Sequence, residues 1–227
     1  MSRLRKVRRR LFKLLFDKAL NRHYNHYSSK NRVVSFKGIK IQVNTGIFNP
    51  SLFFSTKVLV KYASRRDLNK KRILELGCGT GAFSCWAAKQ GAHVIASDIN
   101  PEAVENAKHN ATLNNLEIKT VQSDLFENLN DYDFDWVVIN PPYYPQTPKT
   151  DADKAWFCGK EFEYFEGLFN QLAALKTWKR TIMVLSEDCD IDFISNLAIK
   201  NNLNFKKDFE TATWVERNYI FRISKKC

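Results

Sequence analysis

The sequence predicts an α/β fold: a doubly wound, mostly parallel seven-stranded sheet closed by an antiparallel C-terminal hairpin. Three observations carry this. From Arg72 onward, short apolar runs of strand length alternate with amphipathic runs of helix length. The first of these strands runs straight into a glycine-rich turn, "ELGCGTG". The chain ends in "NFKKDFETATWVERNYIFRIS", which reads as two strands joined by a short turn.

The elements follow in order. "VVSFKGIKIQV" reads as two short strands turning at Lys37-Gly38. "GIFNPSLFFSTKVLVKYA" places Pro50 and a capping Ser51 before a helix that runs to about Ala63. Strands are expected at 72–76, 93–97, 118–122, 134–139 and 180–186, with helices at about 82–90, 101–113, 161–177 and 189–201. Short loops between them favour a parallel sheet with helices on both faces.

Forty-four per cent apolar and 13% aromatic residues in a 227-residue chain exclude bulk disorder and allow a full core. No stretch approaches the roughly 18–20 apolar residues of a membrane span. Cys78, Cys85, Cys158, Cys189 and Cys227 show no paired spacing, and His23 and His26 lack partners. Neither a disulfide framework nor a metal site is therefore expected, and the reading is of a cytoplasmic protein.

Charge is unevenly placed. Residues 1–40 hold 13 of the 36 Lys and Arg but only one of the 24 acids, Asp17, leaving 23 of each sign in the remainder. A basic arm on a neutral body implies a polyanionic partner. Within the arm, Leu4, Val7, Leu11, Leu14 and Leu15 share one side of a helix. That helix suits docking on the body, contact with RNA or ribosome, or a membrane-surface or presequence role, whereas Lys13 and Asp17 break the apolar run a secretory signal needs. The expected organisation is a basic N-terminal helix and short hairpin over 1–45 and one α/β domain over 46–227.

The candidate site lies at strand ends. Gly77, Gly79 and Gly81 follow the first strand of the alternation and precede a helix, letting a ligand approach the backbone at a helix N-terminus. Asp98 ends the next strand about 20 residues on, the distance at which a carboxylate meets ribose hydroxyls. Asp124 ends the third, where a cofactor ring can lie. The fourth, "FDWVVI", stops at Asn140-Pro141-Pro142-Tyr143, and prolines cannot continue a ladder. Read alone, that stretch is a rigid stop.

The succession "ELGCGTG", "ASDIN", "SDLF", "NPPY" resembles class I S-adenosylmethionine-dependent methyltransferases, over about residues 45–186. The glycine spacing, preceded by Glu75, departs from the dinucleotide pattern G-x-G-x-x-G. The resemblance implies a Rossmann-like domain over 46–227 that binds S-adenosyl-L-methionine. It assigns the glycine turn of Gly77, Gly79 and Gly81 to the methionine part, Asp98 to the ribose and Asp124 to the adenine amine. Glu75, Ile99, Leu125 and Asn140 complete the cofactor set. It also implies that Asn140, Pro141, Pro142 and Tyr143 serve methylation of a planar nitrogen. Such a nitrogen is a poor nucleophile, so the Asn side-chain oxygen and a proline carbonyl would accept its N–H groups while the Tyr143 ring stacks on the flat acceptor.

Two acceptor classes share this loop. "DKAWFCGKEFEYFEGLF" is similar to a segment of the release-factor glutamine methyltransferases, with Lys160 in place of a second glycine. That places a protein glutamine amide first and an exocyclic amine of an RNA or DNA base second. The corresponding partners are a release-factor-like protein or RNA and the ribosome. A non-catalytic basic adaptor of the same fold is the remaining alternative, and intact Asp98, Asp124 and Asn140 weigh against it.

Overall fold

A computed structural model describes residues 30–50, 54–129, 131–213 and 216–226. The expected N-terminal helix, its basic face and the Ser51 cap lie outside the described residues.

The chain enters through a hairpin, β1 (Arg32–Phe36) and β2 (Ile39–Val43), in antiparallel register from Arg32↔Val43 to Phe36↔Ile39. Its two-residue turn has Lys37 and Gly38 both at positive φ, 49° and 77°, the mirror-image geometry that matches strand twist. Helix α1 (Phe54–Ala63) then leads into the alternation. In order come β3 (Arg72–Leu76), α2 (Ala82–Lys89), β4 (His93–Asp98), α3 (Pro101–Leu113), β5 (Lys119–Gln122) and β6 (Phe134–Ile139). After a strap come α4 (Glu163–Ala174), β7 (Trp178–Ser186), α5 (Ile191–Lys200), β8 (Leu203–Ala212) and β9 (Arg217–Lys225).

Seven strands pair in the order β5-β4-β3-β6-β7-β9-β8. The five from β3 to β7 run parallel, and β9 and β8 join antiparallel, as the alternation and the C-terminal hairpin predict. Strand addition reverses between β3 and β6, which opens a crevice at their C-terminal ends.

Local chemistry sets the boundaries. Asn100 caps α3 by accepting the Glu102 N–H at 2.9 Å, with Pro101 as the first helical residue. Asp190 caps α5 through the Phe193 N–H at 3.1 Å. Helix α4 is shorter than the expected 161–177. Phe162 before it is left-handed at φ 63°, and Leu175 after it turns extended at ψ 127°. Strand β7 starts earlier than expected, at Trp178, whose indole donates to the Leu172 carbonyl at 3.0 Å.

Each face of the sheet carries its own apolar cluster. One joins α1, α2 and the hairpin to Ile73, Trp136, Val138, Ile182, Val184 and Ile220. The other joins α4 and α5 to Leu74, Val137, Ile139, Met183, Leu185 and Phe221. Each fully buried Phe or Leu there, such as Phe165 or Leu172, contributes about 1.5–3 kcal/mol.

The hairpin docks on α3 by an asparagine ladder. Asn106, Asn110 and Asn114, spaced four apart on one helix face, meet the backbone of β2 as a neighbouring strand would. Asn110 accepts the Gln42 N–H at 2.8 Å and donates to the carbonyls of Gln42 at 2.8 Å and Thr80 at 2.9 Å. Asn114 accepts the Lys40 N–H at 2.9 Å and donates to its carbonyl at 2.7 Å. Asn106 donates to the Gln42 carbonyl at 3.0 Å and accepts the Asn44 N–H at 3.2 Å.

Asn110 is fully buried, and Asn110→Ala removes the partners of the Gln42 N–H and the Thr80 carbonyl. The variant is expected to lose about 2–3 kcal/mol of stability, read as a lower denaturation midpoint at unchanged m. A midpoint at the wild-type value would show that water replaces both bonds without loss.

Candidate functional site

The crevice between β3 and β6 is a cavity of about 410 Å³, within the range of small-molecule sites. Its floor is the glycine turn. The N–H groups of Gly77 and Cys78 both donate to the Ser97 carbonyl at 2.9 Å, which clips the turn to β4. Gly77 sits at φ 73°, and a Cβ built there meets no atom within 4 Å, so its missing side chain leaves open cavity. Gly79 donates its N–H to Asp98 Oδ2 at 2.9 Å. Gly81 does not line the cavity. A Cβ there would lie 2.7 Å from Ala107 Cβ, so this glycine lets α2 pack closely on α3.

Glu75, 6% exposed, lies beneath the turn. Its Oε2 accepts the Ser84 N–H at 2.9 Å and the Ser84 hydroxyl at 2.5 Å, tying the end of β3 to the first turn of α2. Burial pushes this carboxyl from its ordinary 4.5 up to about 8. Asp98 ends β4 and accepts from the Asn100 N–H at 3.0 Å as well as from Gly79. Burial raises its carboxyl too, against the lowering effect of those N–H donors.

Ile99, Asp124 and Leu125 line the same cavity. Asp124 is exposed, at the end of the β5 segment. Leu125 is left-handed at φ 48° and its carbonyl accepts the Ser123 hydroxyl at 2.9 Å, which turns the chain sharply after the acid.

Opposite the glycine turn, β6 delivers Asn140, Pro141, Pro142 and Tyr143 to the cavity. The Tyr143 ring packs against the α4–α5 cluster and lies 4.8 Å from the Tyr144 ring. Burial, reinforced by the neighbouring Tyr144, holds its phenol far above the ordinary range, so it stays neutral.

A strap follows. Tyr144 N–H donates to the Trp156 carbonyl at 3.0 Å, Cys158 N–H to the Tyr144 carbonyl at 2.9 Å, and Gly159 N–H to the Gln146 carbonyl at 3.0 Å. Between these bonds a short 3₁₀ turn, Ala152–Ala155, brings Trp156 over the cavity, 5.4 Å from the Phe48 ring. From α4, Glu163 and Tyr164 face the cavity. Burial first, then the charges of Asp98 and Asp124, push the Tyr164 phenol up.

Of the residues expected from sequence, Glu75, Gly77, Gly79, Asp98, Ile99, Asp124, Leu125, Asn140, Pro141, Pro142 and Tyr143 meet in one cavity, and Gly81 stands behind it. Phe48, Trp156, Glu163 and Tyr164 are additions. Their sequence signal was slight: Trp156 lies in "DKAWFCG" and Tyr164 in an apolar helical run, where an aromatic reads as core. The open space at Gly77, the hydrogen-bonding carboxylate of Asp98 and the apolar walls fit an adenosine-bearing ligand.

A family model described as the methyltransferase small domain matches residues 38–157, more than half of the chain. Over 122 residues the chain is 38% identical to a Methanocaldococcus jannaschii protein provisionally named a protein N5-glutamine methyltransferase, covering 53% of this chain and 59% of that one. Over 90 residues it is 40% identical to the release factor glutamine methyltransferase of Deinococcus radiodurans, covering 39% and 32% respectively. The chain thus spans between about a third and three fifths of these curated relatives. Among solved structures, an E. cuniculi complex described as responsible for methylation of the eRF1 translation termination factor superposes with a TM-score of 0.60 at 21% identity, over 80% of this chain and 99% of that one. The T. thermophilus 16S rRNA N2 G1207 methyltransferase superposes with a TM-score of 0.62 at 17% identity, over 87% and 50%. At these identities the structural likeness is one of fold.

Because the folded Glu75 carboxyl titrates above its unfolded value, its contribution to stability is complete below about 4.5 and lost as pH rises through about 8. Unfolding free energy is expected to fall across that window in the wild type. Glu75→Gln keeps a carbonyl acceptor for Ser84 but cannot ionise, so it should flatten the dependence. Denaturant unfolding of both proteins from about pH 5 to about pH 8 checks this, and equal slopes would mean that Glu75 is not the group that titrates.

Proposed function

The chain belongs to the methyltransferase small domain family, and on that premise we propose that it is an S-adenosylmethionine-dependent N-methyltransferase acting on a protein glutamine amide of the release-factor type. The observation that carries this reading is the meeting, in one cavity, of the glycine turn, Asp98 and the Asn140–Tyr143 loop. The names of the curated relatives support the choice of a glutamine amide over a base amine.

When bound, S-adenosylmethionine supplies an electrophilic methyl group on a sulfonium. The residues of this chain bind and orient. Asp98, fixed by the Gly79 and Asn100 N–H groups, accepts the ribose hydroxyls with its remaining lone pairs. Asp124 accepts from the adenine amine, with Ile99 and Leu125 beside the ring. Glu75, Gly77 and Gly79 border the methionine end, and Gly81 keeps α2 against α3 so that the turn holds its shape.

Asn140 Oδ1 and a proline carbonyl of the loop accept the two N–H groups of the acceptor amide, which grow more acidic as its nitrogen attacks; one of those protons leaves to solvent. Pro141 and Pro142 restrict φ and hold that carbonyl in place. Tyr143, neutral throughout, offers a ring face to the flat amide. Phe48 and Trp156 exclude water above it. The basic segment within residues 1–40 engages a polyanion, and the four described cysteines, all free and buried, suit a reducing cytoplasm. No helix among the described residues is long and apolar enough to cross a membrane.

The acceptor class is tested by incubating the protein with radiolabelled S-adenosylmethionine and cell extract, then digesting with protease or nuclease. Label released by protease supports the glutamine reading. Label released by nuclease replaces it with a base amine, and no label replaces it with a non-catalytic adaptor. Asn140→Ala is expected to reduce single-turnover methyl transfer about 10²–10³-fold with cofactor affinity unchanged. Transfer at the wild-type rate would reduce the loop to a structural stop. Asp98→Ala should weaken cofactor binding by about 1.5–3 kcal/mol in calorimetry, and unchanged affinity would remove Asp98 from the ribose role.

A further inference from the structure

The face of the sheet that α1 covers carries a row of cations remote from the cavity. Trp136 on β6 pairs with Arg180 on β7. On β9, Arg222 lies between Ile182 of β7 and Lys206 of β8. Alternation along each strand puts these residues on the side of Ile182 and Ile220, beside α1. Lys61 of α1, with Arg65 and Arg66 just after it, completes the row.

Three of its arginines lie on aromatic rings. Arg66 is 3.9 Å from the Tyr62 ring centroid and 5.7 Å from that of Trp136. Arg180 is 5.2 Å from the Trp136 ring, and Arg65 is 4.5 Å from Phe209. These cation–π contacts steady the guanidinium groups; Arg66 also donates to the Tyr62 carbonyl at 2.9 Å, whereas Arg65 and Arg180 keep their N–H groups for binding elsewhere. One carboxylate pairs within the row: Asp208, at the bulge in β8, is 3.6 Å from Arg66 and hydrogen-bonds the Tyr62 hydroxyl. Among the described residues, Arg65, Arg180, Lys206 and Arg222 form no ion pair. This row therefore carries an excess of cations, although the charges of residues 41–227 sum to zero.

We propose that this row is a binding track for the phosphodiester backbone of an RNA strand. Guanidinium groups held in this way suit bidentate contact with phosphate, and a line of cations crossing strands about 4.8 Å apart suits a linear string of charges. A bilayer is the poorer fit. The exposed large apolar residues among those described are Val33, Phe54, Leu113, Tyr144, Phe193 and Ile199, and none lies in the row to enter lipid. The track sits toward the start of β6 and β7, whereas Asn140 follows the end of β6, so RNA held there leaves the cavity open to its acceptor. The proposal does not depend on which acceptor the cavity takes.

The test measures binding of the full chain to a labelled single-stranded RNA of roughly 20 nucleotides across a salt series. Replacing Arg180, Lys206 and Arg222 together by Gln is expected to weaken binding at least tenfold at low salt. It should also reduce the log–log salt slope by about 2, since each phosphate contact on a single strand carries about 0.7. Each single Gln variant should lower the slope by about 0.7, which keeps the test open if the triple variant is unstable, and Arg180→Lys should retain the slope. A charge-matched control, Lys108→Gln with Lys160→Gln and Lys200→Gln, should leave the slope as in wild type, and cofactor affinity should be unchanged in all. The proposal is overturned if the row variants bind RNA as wild type does, or if the control loses as much. Loss of binding to anionic phospholipid vesicles, with RNA binding intact, would also overturn it.

Discussion

Between β3 and β6 the sheet reverses the direction in which strands are added, and the segments leaving these two strands are carried to opposite faces. After β3 the chain passes into α2, beside α1 and α3; after β6 it passes through the strap into α4, on the other side. Neither segment crosses the gap, so the C-terminal ends of the two strands bound a space that no core side chain fills. The glycine turn, Asp98 and the Asn140 loop are functional candidates because each ends a strand at this divide. The two prolines reinforce it. With no N–H to offer, they end the β6 ladder where the crevice begins.

The floor of that space is held chiefly by main-chain groups. Glu75 and Asp98 each accept main-chain N–H bonds from the turn or the following helix. The same bonds shape the loops and leave one face of each carboxyl toward the cavity. Burial raises both carboxyls and keeps the phenols of Tyr143 and Tyr164 neutral. A site so arranged offers hydrogen-bond acceptors and flat surfaces. Such equipment suits a transfer limited by alignment.

Around this centre, polar side chains do the work of missing strands. The asparagine ladder on α3 satisfies the outer edge of β2, which would otherwise present bare backbone groups. The strap uses backbone bonds from Tyr144, Cys158 and Gly159 to bring Trp156 over to Phe48. The strap closes the cavity from a segment outside the seven-stranded sheet.

The order of residues is enough to place the strands and helices, the glycine turn, and the acids and prolines at strand ends. Those features are local: apolar periodicity, glycines that allow positive φ, and prolines that cannot continue a ladder. It did not separate Gly81, which serves helix packing against Ala107, from Gly77, which faces the cavity, because both occur in one repeating turn. Nor did it pair Phe48 with Trp156, or assemble Arg66, Arg180 and Arg222 on one face of a body whose charges sum to zero. Those outcomes follow from strand order and helix placement, which bring together residues far apart in the chain. Only the tertiary structure decides them, since periodicity says which side of an element is apolar and not which element will meet it.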